Sequence, residues 1–339
     1  MLNSKSIGNK IATARKKTNL SQAELAQQVS ISSQAVGKWE RGESMPDITT
    51  LNRLAEILGV DLNYFSESFQ LADTELTNIE SLTKQLTESP TGEQKKKLNW
   101  DMSELNLVDS DFSGLKNLHE KFSSANMQRC LFIGSNMSGL LLNRNNIDGC
   151  DFTDSDISSS QIQSSNLGNN IFKNCSLKET EFSKSNISAC DFTDSDISNS
   201  QIQGSNLGNN IFKNCSLKET EFSKSNIGDC DFSDADFTKT TFKSSNFGKN
   251  TIANAKWVST SFIEMQIQDI AFEGNLDGCF FDNCTFYGVK FQNVTLINTF
   301  FKNNKKFKRV QFIDCKVDKI TYAFLKSNQA NLTGITLLS

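Results

Sequence analysis

The chain is poor in the residues that most catalytic and ligand-binding motifs require. It carries a single histidine, His119, in 339 residues, and nothing near it in sequence forms a triad or a ligand set. No GxGxxG, Walker-type phosphate loop, HExxH or DxDxDG calcium loop occurs. Nine cysteines are present, but without CxxC pairs or Cys/His clusters, which excludes the common zinc and redox motifs. An enzyme is therefore not expected, nor a cofactor, nor a metal. No run of eighteen apolar residues exists, which excludes a hydrophobic membrane span. No signal-peptide pattern opens the chain, so a cytoplasmic location without a membrane partner is expected. Hydrophobic residues make up only 37%, enough for a thin core but little for a broad one.

What the chain has instead is a beat of five. Every fifth residue from Phe122 to Phe272, thirty-one positions without a break, is Phe, Leu, Ile, Met or Trp. The register slips by one at Leu276, runs through Phe281, Phe286, Phe291, Leu296 and Phe301, and slips back at Phe307. It then fades through Phe312, Val317, Tyr322, Leu332 and Leu337. Neither a helix nor an ordinary strand places every fifth residue on one buried line. A coil making a quarter turn per five residues does, with each apolar side chain aimed at the axis. The residue two before each apolar one is mostly small, as a narrow interior demands. All nine cysteines fall in that slot: 130, 150, 175, 190, 215, 230, 279, 284 and 315. There a reduced thiol serves as a small hydrophobe. The remaining slots are polar.

This pattern resembles the pentapeptide-repeat family over roughly residues 105–337. The resemblance implies a right-handed quadrilateral β-helix with four pentapeptides per coil. Roughly eleven coils at about 4.8 Å each would stand about 50 Å tall. Residues 150–189 and 190–229 repeat with four differences. Forty residues is two whole coils, so such a duplication leaves everything downstream in phase.

Residues 1–65 keep a helical texture. Ile7, Ile11 and Ala14 mark one helix face, ending near Asn19. Ser21 and Glu24 form a capping-box signature for the next helix, with Ala23, Ala26 and Val29 facing inward. Another helix opens at Ser32 and stops at Gly42. Asp47 caps a fourth, carrying Leu51, Leu54, Ala55 and Leu58 to Gly59, and DLNYF begins a fifth. Five short helices in this span predict a compact all-α domain.

The blocks SQAELA, ISSQAVGKWERGE and MPDITTLNRLAEILGVDLNYF resemble the helix-turn-helix domain of Cro/cI-type (XRE) repressors. In that family the second helix of the motif enters the major groove and the first crosses the backbone. The resemblance implies groove-facing positions at Ser32, Ser33, Gln34 and Lys38. It also implies a residue bracing a phosphate contact at Gln22, and Arg41 beside the backbone. Gln pairs with adenine and Lys with guanine in the groove. Trp39, Val36, Ala35 and Leu25 read as core. With eight basic and six acidic residues in 1–65, affinity for duplex DNA is expected to need a homodimer.

Residues 66–104 are acidic and read as a linker around Pro90-Thr91-Gly92. Leu76, Ile79, Leu82 and Leu86 form the stripe of one amphipathic helix. Lys95, Lys96 and Lys97 read as a solvated charge run, and Trp100 and Leu105 as candidates to cap the first coil. The predicted organisation is α + β: a helix-turn-helix domain (1–65), an acidic linker (66–104) and a β-helix (105–339).

Within the β-helix, three acidic clusters recur every forty residues: Asp151, Asp154 and Asp156; Asp191, Asp194 and Asp196; Asp231, Asp234 and Asp236. They are expected on one side, about 10 Å apart, as a solvated stripe or a docking surface for a protein partner. Some pentapeptide-repeat proteins are acidic mimics of duplex DNA that bind type II topoisomerases such as gyrase. Against that stand interspersed lysines (173, 178, 184, 213, 218, 224), a basic cluster (Lys302, Lys305, Lys306, Lys308, Arg309) and the fused DNA-reading domain. The expected function is sequence-specific, DNA-binding transcription regulation, with the β-helix as oligomerisation or partner-docking module. The alternatives are a gyrase-interacting mimic with an autoregulatory helix-turn-helix domain, and a pure scaffold.

Overall fold

The computed structural model describes residues 4–60, 62–65, 102–116, 118–119 and 122–338. The linker helix stripe, the Pro90 turn, Lys95–Lys97 and Trp100 lie outside the described residues. The chain divides into two compact units, Met1–Trp100 and Asp101–Ser339.

The first unit holds helices α1 (Ser4–Lys17), α2 (Gln22–Val29), α3 (Ser33–Glu40) and α4 (Ile48–Leu58), then one 3-10 turn, Leu62–Phe65. The capping box forms: Ser21 Oγ accepts the Glu24 N–H at 3.1 Å, and Glu24 Oε2 accepts the Ser21 N–H at 2.7 Å. Asp47 caps α4 through the Thr50 N–H at 2.7 Å. Ile7, Ile11 and Ala14 of α1 pack into a core with Leu25, Ala26, Val29, Val36, Trp39, Leu51, Leu54 and Phe65. Ala23, expected inward, is exposed. The inward residues of α2 are Leu25, Ala26 and Val29, which span an arc of about 100° at the helical pitch; Ala23 falls beyond its edge. Close packing of α1 on α3 rests on Gly8, where a Cβ would come 2.1 Å from the Trp39 carbonyl oxygen.

The second unit is the predicted β-helix. Pairing is parallel and in register at twenty residues: Leu107 lies under Met127, then Ile147, Leu167, Ile187, Leu207, Ile227, Phe247 and Ile267. We number the four sides from this one. Side one is a ten-stranded ladder of short strands, and side four, through Leu142, Ile162, Phe182, Ile202 and Phe222, is a nine-stranded one. Sides two and three, through Phe132 and Met137, are held as far as Lys256 by single bridges such as Asp151 to Ile171 and Asp156 to Ser176, and beyond it by a six-stranded sheet. Each corner turns on a residue with positive φ two places after the apolar one, for example Asp154 (62°), Ser159 (55°), Ser164 (51°) and Asn169 (54°). That left-handed corner explains the Asn, Asp, Ser and Gly in this slot, since short polar residues and Gly enter the region most readily.

Inside, the apolar column of side two stacks Phe132, Phe152, Phe172, Phe192 and Phe212 with ring centroids 4.7–4.8 Å apart. The separation equals the rise per coil, so chain pairing and ring stacking reinforce each other. The small slot does more than leave room. Ser155 Oγ accepts the Ser135 N–H of the previous coil at 3.2 Å and donates to the Phe132 carbonyl oxygen. The same two-way bridge recurs at Ser160, Ser185, Ser195, Ser200 and Ser225, where it satisfies corner backbone groups away from water.

Two irregularities offset each other. Phe272 pairs with Phe291, a coil of nineteen residues, with the shift absorbed at Gly274 (φ 79°). Phe291 then pairs with Phe312, a coil of twenty-one, the extra residue being taken up at Lys306 (φ 56°) and the 3-10 turn Phe307–Arg309. The fading beat after Val317 continues the coil only in part. Residues Lys319–Ser327 form helix α5, followed by a strand, Ile335–Leu337, paired on Cys315–Val317. Tyr322 lies on this helix and Leu332 in the loop after it. Buried Thr321 of α5 accepts the Thr299 N–H at 2.9 Å, so a helix supplies the bridge that the next coil would have made.

Candidate nucleic-acid interface

Helices α2 and α3 are joined by a tight turn through Ser30 (φ 63°) and Ile31. Ser32 is the N-cap of α3, its Oγ accepting the Ala35 N–H at 3.2 Å. Its hydroxyl is thereby engaged in ending the turn, although the residue remains exposed. Val36, Gly37 and Trp39 turn inward, leaving Ser33, Gln34 and Lys38 exposed. Gln34, Lys38 and Arg41 follow spacings of four and three and lie along one helical face. Arg41 is exposed and paired with Glu43, Nε to Oε1 at 2.6 Å.

Gln22 is half-buried at the start of α2, and its Nε2 donates to Glu40 Oε2 at 2.6 Å. Glu40 also receives Arg15 Nε at 2.6 Å and Nη2 at 2.9 Å, and Arg15 Nη1 reaches the Leu20 carbonyl oxygen at 2.8 Å. The Arg15 and Glu40 side chains are about one-tenth exposed. Burial pushes the Glu40 carboxyl up, but the bonds from Arg15 and Gln22 outweigh it and hold the group below its ordinary range. This cluster ties α1, α2 and α3 together at the end of the helix that would meet DNA. Gly37 adjoins it: a Cβ there would sit 3.1 Å from Arg41 Nη1 and 3.6 Å from Gln22 Oε1. Sequence reasoning missed the Glu40 cluster, because a pair twenty-five residues apart on different helices leaves no local signal.

The nine aspartates gather on sides two and three. Asp151, Asp191 and Asp231 precede the inward Phe of side two, while Asp156, Asp196 and Asp236 hold the corresponding place on side three. Each binds the turn that follows it: Asp151 Oδ1 accepts the Thr153 N–H at 2.9 Å and Oγ1 at 2.6 Å, and Asp236 Oδ1 accepts the Thr238 N–H at 2.9 Å. Asp154, Asp194 and Asp234 stand at the corner between, accepting Nδ2 of Asn174, Asn214 and Asn254 at 2.6, 2.7 and 3.1 Å. Lysines of neighbouring coils close on the same acids: Lys173 on Asp191 and Lys178 on Asp196 at 3.1 Å, Lys256 and Lys218 on Asp236 at 3.2 and 3.4 Å. Burial would raise the carboxyls of Asp191, Asp196 and Asp236; their hydroxyl, backbone and lysine donors hold them low instead. Three of the nine acids, Asp191, Asp196 and Asp236, are thus ion-paired.

All nine cysteines are buried and free. Burial pushes the thiols of Cys175, Cys215, Cys279 and Cys284 up to about 12, and those of Cys190 and Cys230 to about 11. Among the described residues no group of three or more His, Cys, Asp or Glu is placed to hold a metal ion. No helix there is long and apolar enough to cross a membrane. His119 is half-buried beside Leu118, near the first coils.

These two units define a β-solenoid repeat protein with a helix-turn-helix at its N-terminal side. The helix-turn-helix family model matches residues 11–65, the pentapeptide repeat region model matches 125–202, and the model for eight copies of the pentapeptide repeat matches 200–238, 215–249 and 273–303. The chain is an XRE-type helix-turn-helix fused to a pentapeptide-repeat region. Both are binding folds. Among solved structures, a trypsin-treated form of QnrB1, a plasmid-mediated fluoroquinolone resistance protein, aligns at 16% identity over 70% of this chain and 91% of its own, with a TM-score of 0.33. HetL, a pentapeptide repeat protein involved in heterocyst differentiation regulation from the cyanobacterium Nostoc, aligns at 12% identity over 62% and 90%, with a TM-score of 0.23. No curated protein sequence matches the chain.

Proposed function

We propose that the chain is a sequence-specific regulator of transcription in the cytoplasm, acting as a homodimer on duplex DNA. Its β-helix serves as oligomerisation or docking module, and it carries no enzymatic activity. The observation that carries this reading is the exposed face of α3, where Gln34 and Lys38 stand one turn apart over a buried Val36 and Trp39. A rigid helix with a donor-rich outer face suits the major groove. Ser33 joins the base-reading set, Ser32 shapes the entry to the helix, and Arg41 approaches the phosphates by exchanging Glu43 for them. Gln22 acts indirectly, by holding Glu40 and so the angle between α2 and α3. Selection of bound sequences from random duplex DNA tests the proposal: enrichment of one palindromic or paired site supports it, and failure to enrich any sequence overturns it.

The acidic-mimic reading gains little from the surroundings of the aspartates. A phosphate-like surface needs free carboxylates, whereas these bind corner turns, asparagines and lysines. Inhibition or protection of gyrase supercoiling by the purified chain would restore it.

A further inference from the structure

The coil of twenty-one residues leaves a cavity of about 610 Å³ beside α5, lined by the turn at Lys306–Arg309 and by one side of the helix. Phe301, Phe307 and Phe324 give it an aromatic lining. Phe301 and Phe307 are buried, and Phe324 is half-buried, its ring edge-on to Phe300 at 5.2 Å. Around the cavity stand Lys302, Lys306, Lys308 and Arg309, all exposed, and no carboxylate is among the lining side chains. None of these four cations is ion-paired among the described residues, unlike the lysines of sides two and three. The Lys306 ammonium rests 3.8 Å from the centre of the Tyr287 ring instead.

The other polar groups of the lining are largely committed to structure. Asn328 Nδ2 donates to the Phe301 carbonyl oxygen at 2.7 Å, Ser327 Oγ donates to that of Phe324 at 2.9 Å, and Asn304 bridges Cys284 and Phe281. The unspent recognition groups are therefore cations above an apolar, aromatic wall.

We propose that this cavity binds a phosphorylated aromatic metabolite of nucleoside-diphosphate size. Unpaired lysines and an arginine create a local positive field and suit phosphate oxygens, the arginine in bidentate fashion. The aromatic wall, with Phe324 partly open, accepts a flat ring. The volume lies in the range of small-molecule sites. A site that only tracked a nucleic-acid backbone would need the charge but not the aromatic wall. The proposal is independent of the regulatory reading, since the site lies wholly within the β-helix unit.

Calorimetric titration of the full chain with ADP, inorganic pyrophosphate and adenosine tests it. ADP should bind once per chain, with pyrophosphate and adenosine each weaker by about tenfold or more, because each offers half of the match. Substituting Lys308→Ala and Arg309→Ala together should weaken ADP by about tenfold or more without moving the thermal midpoint, as both side chains are exposed. Phe324→Leu should weaken ADP and leave pyrophosphate binding unchanged. Absence of ADP binding, or equal binding by the double variant, overturns the proposal. So does a non-cognate DNA duplex that binds more tightly than ADP and loses its affinity in the same double variant, because the cations would then be a nucleic-acid contact.

Discussion

Asn210 lies one coil beyond Cys190 in the same interior column, and its Oδ1 accepts the Cys190 backbone N–H at 2.9 Å. Its Nδ2 donates at 2.9 Å to the carbonyl oxygen of Ile187, so one buried amide satisfies two corner groups of the coil before. Asn170 and Asn250 repeat the arrangement with Cys150 and Cys230. Asn210→Ala should therefore cost about 1–3 kcal/mol, the desolvation left by unpaired buried groups. Asn210→Ser should cost less, since Ser155 makes the same bridge in its own column. Chemical unfolding of the two variants checks the order; equal stability of Asn210→Ala and the parent would show that the bridge contributes nothing.

The Glu40 cluster carries a pH signature. Its carboxyl titrates below the ordinary value in the folded chain. The stabilisation is thus fully present above the ordinary carboxylate range and is lost as pH falls through the depressed folded value. The helix-turn-helix unit should lose helical signal in acid, and Glu40→Gln should lower its stability at neutral pH while flattening that acid dependence. Arg15→Ala should cost about 3 kcal/mol, because it strands a buried carboxylate. Circular dichroism between pH 3 and 7, roughly the span over which carboxylates titrate, reads both effects.

Thiol labelling offers a test of the interior slot. The nine buried cysteines should react slowly in the native chain and completely after denaturation. Six thiols raised to about 11 or 12 hold almost no thiolate at neutral pH, and Cys130, whose thiol is held low by its bond with Cys150, is shielded by burial. Rapid native labelling of several of them would contradict the packing described above.

Removing residues 190–229 joins Ala189 to Cys230 and deletes two whole coils. Side one would then run from Ile187 to Phe247 with its strand pairing intact. We expect cooperative unfolding at somewhat lower stability, as nearest-neighbour stacking predicts. Removing 190–199 keeps the beat of five but lays strand-type sides over bridge-type ones, because sides one and four oppose three and two. It also breaks one rung of the external asparagine ladder, where Asn206 donates to Asn186 at 2.9 Å. The ten-residue deletion should be the more damaging in a thermal melt.

On the recognition helix, Gln34→Ala or Lys38→Ala should weaken the selected site by about 1–3 kcal/mol and leave non-specific binding nearly unchanged. Gel shifts against the selected and a scrambled duplex separate the outcomes. Equal loss on both would make the residue a phosphate contact, and no loss on either would remove it from the interface.

The interior of the β-helix was readable from the chain alone because its rule is local: each five residues make one side, whatever the others do. Phe132, Phe152 and Phe172 declare their column by spacing, and the cysteines declare theirs. Caps behave the same way, so Ser21, Glu24 and Asp47 could be placed before any helix was seen. The two one-residue slips were also legible, although only pairing revealed that Gly274 and Lys306 absorb them. Other features depended on neighbours distant in sequence. Tyr322 keeps the beat yet sits on α5, the helix whose Thr321 accepts the Thr299 N–H in place of a coil residue. Which aspartates meet a lysine was not legible either: Lys173, Lys178 and Lys256 close on Asp191, Asp196 and Asp236 from adjacent coils. That Gln22 rests on Glu40 was likewise not legible in the chain. Periodicity determines which way a side chain points, since that follows from the backbone; which charge it meets there is set by the coil or helix packed against it, and only the folded chain brings the two together.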